Sequence, residues 1–266
     1  MYRLTRARRI PITAAVIRVA LPGAMVALML SSCGGAGTEP SRVPAGVPAG
    51  VPAGALARAL GRAAASGTTV LAIVRQDAPR YGVPGGLALG VVPASWYDRP
   101  SVLPVIATRP GWVQVRLAQR PNGSTAWLPD GDVTLGSTPY RIVVNLATTH
   151  LTLYDSGRLV FSAPAGVGVP ADPTPTGEFF VAFDEQPPQP NPGYGPFIMV
   201  TSAHSPGITD WEGSGDAVIG IHGPLGKGRV IGTTGARISH GCIRLQEQAL
   251  ERLRGIPPGT PVDITG

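Results

Sequence analysis

The sequence predicts a mainly β protein: a small β-barrel, then a larger β-rich domain with one or two short helices. Three observations predict it. Over residues 68–137, short apolar bursts recur between Pro, Gly, Asn and Asp, the texture of short strands joined by tight turns. From Pro139 onward the bursts lengthen and are again closed by turn residues. Helical periodicity is confined to 246–254, where Leu250 and Leu253 share a face and Gly255 and Pro257 stop the run.

Taken in order, residues 1–32 carry Arg3, Arg6, Arg8, Arg9 and Arg18 without an acid, then an apolar run over 19–30 that is short for a membrane span. That layout is an export signal. Leu30-Ser31-Ser32-Cys33 resembles a bacterial lipobox, which implies cleavage before Cys33 and lipidation of its thiol. The protein is then expected on the outer face of the cytoplasmic membrane, facing the wall or periplasm. The alternatives are an uncleaved anchor or a Cys33–Cys242 pair, and Arg8-Arg9 leaves the export route open. Five of the 22 Lys and Arg residues precede Cys33, leaving 17 bases against 16 acids. The pI of about 9.9 is therefore no sign of a nucleic-acid partner.

Residues 33–67 contain Val43-Pro44-Ala45-Gly46 and two further copies of that tetrapeptide, followed by an Ala-rich tail. Such a run buries no core and is expected to be a spacer, with a short helix over 55–65. At ~3.1 Å per residue its reach is at most on the order of 100 Å.

Strands are expected at 70–74, 87–92, 102–107, 112–117, 126–128 and 133–135, with Arg120-Pro121-Asn122-Gly123 as a turn. The stretch 111–135 resembles the bacterial SH3-like modules of wall enzymes. Trp112 and Trp127 line either a ligand groove or the barrel interior. This module, 68–137, is expected to position an enzyme and to perform no chemistry. In the second domain, 138–266, strands are expected at 140–145, 151–154, 159–163, 179–183, 198–200, 217–221 and 261–264, with Asp155-Ser156-Gly157 as a hairpin turn.

The chemistry is concentrated in 217–245. An apolar strand delivers His222 at its end, and Gly223 lets the chain turn. A glycine-rich excursion returns through Ser239-His240-Gly241-Cys242-Ile243-Arg244. A thiol of ordinary pKa ~8.5 needs a neighbouring base or cation to become a nucleophile, and histidine titrates in the right range to supply one. Acyl transfer also needs N–H donors where the carbonyl oxygen turns negative, for which the Gly241 and Cys242 amides are candidates. Arg244 pairs with a substrate carboxylate or with the protein itself. A zinc site from His222, His240, Cys242 and His204 matches no common ligand spacing, so no metal is expected. The stretch 184–215, poor in pattern and carrying Tyr194, Phe197 and Trp211, is expected to be a long loop, either a lid over the substrate or an insertion with no catalytic contact.

At Ile221-His222-Gly223, Ile231-Gly232, Ser239-His240-Gly241-Cys242-Ile243-Arg244-Leu245 and Pro173-Thr174-Pro175-Thr176-Gly177-Glu178-Phe179, the sequence resembles the YkuD-type L,D-transpeptidase catalytic domain. The resemblance covers 139–266. It implies a β-sandwich that needs no cofactor and whose cysteine attacks a peptidoglycan stem peptide, releases the terminal D-residue and passes the acyl group to an amine on a second stem. By position, Cys242 is the nucleophile, His222 its base, His240 a further residue of the catalytic site, and Ser239 and Gly241 groups on the oxyanion side. Gly223, Arg244, Tyr194 and Trp211 are the candidate substrate contacts. Carbapenem acylation of Cys242 is implied too. A monomer is expected. The rival functions are an L,D-carboxypeptidase and an inactive wall-binding lipoprotein.

Overall fold

The computed structural model describes residues 53–189 and 192–266. The export signal of 1–32, Cys33 and the spacer up to residue 52 lie outside the described residues. Among those described, no helix is long and apolar enough to cross a membrane.

The tail of the expected spacer is folded. Helix α1 (Ala53–Ala65) places Leu56, Leu60 and Ala63 along one stripe, at i, i+4 and i+7. Leu56 and Ala63 are buried against the front module and Leu60 packs beside them, so the spacer does not extend to residue 67.

The front module has nine strands: β1 (Thr69–Val74), β2 (Ala78–Tyr81), β3 (Ala88–Val92), β4 (Ser95–Trp96), β5 (Arg99–Pro100), β6 (Val102–Arg109), β7 (Trp112–Arg116), β8 (Thr125–Pro129) and β9 (Val133–Thr138). Seven form one antiparallel sheet in the order β3-β2-β8-β7-β6-β1-β9, and β4 and β5 form a separate hairpin. Val92 from one edge strand and Val133 from the other share a core with Val113, Val115 and Leu128. The sheet thus curls around one interior, but no pairing joins its edges, and the expected barrel is open.

The second module follows with β10 (Tyr140–Asn145), β11 (His150–Asp155), β12 (Arg158–Gly168), β13 (Gly177–Glu185), β14 (Ile198–His204), β15 (Val218–His222), β16 (Ala236–Ser239), β17 (Ile243–Leu245) and β18 (Pro261–Thr265). Helices α2 (Gly228–Ile231) and α3 (Glu247–Glu251) are short. The strands run in the order β11-β10-β18-β13-β14-β15-β17-β12, and β12 pairs back to β11. Eight strands therefore close a ring, with β16 added outside on β12; this is a closed barrel where two facing sheets were expected. Ser156 and Gly157, both at positive φ, make the tight β11–β12 turn.

Strand β13 joins the two modules. Its side chains alternate: Phe179 and Val181 enter the ring's core, while Phe180 enters the core of the front module. A register shift between Val181 and Phe183 then sends Ala182 and Phe183 into a common cluster, where Trp96 and Tyr97 of the β4–β5 hairpin pack. A buried Thr138–Thr260 hydroxyl pair at 3.1 Å adds to the seam. Gly259 approaches so closely that a Cβ there would lie 2.7 Å from Leu71. The modules share buried side chains, which the expected division into separate domains did not anticipate.

Candidate active site

The site is built where two distant pieces of chain become neighbouring parallel strands. β15 pairs with β17, with His222 opposite Arg244 and Ile221 opposite Ile243. Cys242, immediately before β17, is wholly buried and is a free thiol. The Gly220 amide donates to its sulfur at 3.4 Å, a contact that favours negative charge there.

His222 is wholly buried at the end of β15. Its Nδ1 lies 2.8 Å from the Gly223 carbonyl oxygen. That oxygen can only accept, so Nδ1 carries the hydrogen and Nε2 of the neutral ring is bare. Nε2 is buried without a hydrogen-bond partner. Burial pushes the Cys242 thiol up, and His222 is among the influences that pull it toward the thiolate.

Arg244 is half-buried on the next strand, with Nε buried and unpartnered. Burial lowers its pKa, opposed by the charges of Cys242 and Tyr194. The guanidinium therefore sits in the electrostatic reach of the thiol and forms no salt bridge among the described residues. The Tyr194 ring meets His222 edge-on at 4.8 Å, and burial raises its hydroxyl pKa, helped by Cys242.

Three expectations for single residues are corrected here. The Gly241 amide is not free for a substrate: it donates to Ser239 Oγ at 3.2 Å, while that hydroxyl donates to the Cys242 carbonyl at 2.5 Å. Ser239 thus ties the nucleophile loop to itself and leaves the Cys242 amide as the donor candidate. Gly223 is no open substrate contact. A Cβ there would lie 2.7 Å from the Tyr194 carbonyl carbon, and its amide donates to Tyr194 O at 2.6 Å. His240 turns away from the thiol: its side chain is 56% exposed, and Nδ1 donates to Asp172 at 2.7 Å. Trp211 packs against the His240 ring at 5.7 Å.

The long loop expected over 184–215 is two segments separated by β14. One carries Tyr194 to His222 and the other carries Trp211 to His240. Sequence reasoning missed Asp172 and Gly220, for which no spacing rule gives a signal. It noted the 173–179 motif but gave Thr174 no role. That hydroxyl, buried, accepts from the Gly168 amide at 2.8 Å and donates to the Gly241 carbonyl at 2.7 Å. Gly168 permits this, since a Cβ there would be 2.4 Å from Thr174 N. Among the described residues, no group of three or more His, Cys, Asp or Glu is placed to hold a metal ion.

A thiol beside an imidazole with a bare nitrogen, next to a cation that has no salt bridge among the described residues, is an arrangement suited to covalent acyl transfer through cysteine. Residues 139–264 match the family model YkuD, the L,D-transpeptidase catalytic domain. The YkuD protein of Bacillus licheniformis is 38% identical over 128 residues, which are 48% of this chain and 66% of that protein. The YkuD protein of Bacillus subtilis is 34% identical over 127 residues, 47% of this chain and 66% of that protein. The chain thus spans just under two thirds of the length of these relatives. A solved L,D-transpeptidase from Mycobacterium smegmatis is 20% identical, covering 58% of this chain and 91% of its own, with a TM-score of 0.36.

Proposed function

We propose that this protein is a peptidoglycan L,D-transpeptidase working through a thioester on Cys242. The observation that carries the reading is His222 beside Cys242 on adjoining strands, its Nδ1–H tied to a carbonyl and its Nε2 bare. The match of 139–264 to the L,D-transpeptidase catalytic domain supports it.

His222 takes the thiol proton, and the thiolate attacks the stem-peptide carbonyl that follows the L-centre of the third residue. A C–S bond forms, the C–N bond breaks, and the terminal D-residue leaves with the proton returned by His222. The amine of a second stem then gives a proton to His222 and attacks the thioester. A new amide forms and the thiol is restored. The Cys242 amide steadies the oxygen while it is negative, and Arg244 pairs with a substrate carboxylate. Tyr194 and Trp211 wall the mouth. Water in place of the amine gives trimming without cross-linking.

The same reading has the chain exported and held by a lipid on Cys33, acting as a monomer at the wall. A mature N-terminus that does not begin with lipidated Cys33, by mass spectrometry, removes the anchor. The reaction is tested by incubating the full chain with a tetrapeptide-bearing muropeptide and weighing the products. A cross-linked dimer lacking one terminal D-residue is expected; a trimmed monomer alone assigns the carboxypeptidase reaction, and unchanged substrate rejects both.

A further inference from the structure

The turn at 119–123 of the front module reaches the catalytic module. Arg120 donates from Nη1 to Ser205 O at 2.7 Å, from Nη2 to Ile208 O at 2.9 Å and from Nε to Asp216 Oδ1 at 3.1 Å. Asn122 donates to His204 O at 2.8 Å and accepts from the His204 amide at 2.9 Å. The three bonds from Arg120 grip both ends of the segment 205–216, which links β14 to β15, and the two with Asn122 hold His204, the residue before it. Buried His204 holds Asp216 from another side, Nδ1 to carboxylate at 3.0 Å.

Within the segment the chain folds on itself: the Trp211 amide donates to Asp216 O at 3.0 Å and the Gly215 amide to Asp210 at 2.9 Å. Trp211 packs on His240 and, with Ile208, against the catalytic core. Beside Thr209, Ser214 and Gly215 lies a cavity of about 520 Å³ that reaches Trp96, Tyr97 and Gln119 of the front module. Part of the segment is therefore backed by space, and the bonds from Arg120 and Asn122 fix its place.

We infer that Arg120 and Asn122 are positioning residues for the stem peptide. The front module holds Trp211 at the mouth of the site and so sets how the peptide docks, without touching the reacting atoms. The substrate named here rests on the function proposed above; the clamp does not.

The test uses Arg120→Ala, Arg120→Lys and Asn122→Ala in the full chain, the asparagine change keeping the test open if Arg120→Ala fails to fold. Hydrogen exchange should quicken across 205–216 and stay unchanged in β15 and β17. KM for a tetrapeptide muropeptide should rise about tenfold in Arg120→Ala and less in Arg120→Lys, as loss of binding alone does. kcat and the alkylation of Cys242 by iodoacetamide should stay within about twofold of the wild type. Unchanged exchange in 205–216, or losses in kcat and alkylation that match the loss in KM, overturn the inference. A wild-type chain that turns over no muropeptide sinks the proposed reaction and the substrate named here, while exchange still decides the clamp.

Discussion

Cys242 is wholly buried, and a buried thiol with no charged neighbour is inert. His222 is among the influences that oppose burial, so removing the imidazole should weaken the pull toward the thiolate. In His222→Ala the pH midpoint of Cys242 alkylation should therefore move upward, because thiolate is lost as pH falls through a pKa that is now higher. Turnover should drop by a factor on the order of 10² to 10⁴, as for a missing positioned base. Alkylation rates across a pH series read the first effect, and an unmoved midpoint means that His222 does not poise the thiol. Thr174→Val keeps the shape of the side chain and strips the partners of the Gly168 amide and the Gly241 carbonyl. It should cost about 1–3 kcal/mol for each buried group left unpaired, read as a lower denaturant midpoint together with slower acylation. At this scale the candidate thiol and its nearest neighbours were legible, because glycine, histidine and cysteine cluster within a few residues. The contacts that hold them were not. Asp172 and Thr174 are far from 239–242 in sequence, and nothing local marks a hydroxyl that will cap a distant carbonyl.

Six of the nine strands of the front module and most of the second were legible from apolar bursts between turn residues, whereas β2, β4 and β5 were not. β14 was only half visible, and its chemistry says why. All seven residues, Ile198–His204, are buried, including Thr201, Ser202 and His204, so no alternation survives. The two hydroxyls are satisfied inside: Thr201 donates to Ile219 O at 2.7 Å and Ser202 accepts from the Phe180 amide at 3.1 Å. β13 carries the main correction to the expected division of labour. Phe180 is 1% exposed inside the front module's core, so residues 139–266 expressed alone would present it to water. Phe180→Ala in the full chain should destabilise by ~3–5 kcal/mol, as for a buried phenylalanine. In the isolated second module the same change should instead reduce aggregation. Chemical denaturation and light scattering check the pair, and a neutral effect in the full chain means that the modules do not share this side chain.

Over the whole molecule, local pattern ran out where distant strands meet. The ring closes through the β11–β12 hairpin, which its turn announced, and through the parallel pairs β10–β18 and β15–β17, which no burst of apolar residues announces. The site depends on one of those pairs, since only β15 lying against β17 brings His222 beside Cys242. That juxtaposition, with Cys242 forming the acyl bond, is the central claim. Intact-mass measurement of the full chain after exposure to a carbapenem tests it most directly. One adduct of the carbapenem's mass is expected on the wild type and none on Cys242→Ala. An adduct that persists in Cys242→Ala, or none on a folded wild-type chain, contradicts the account.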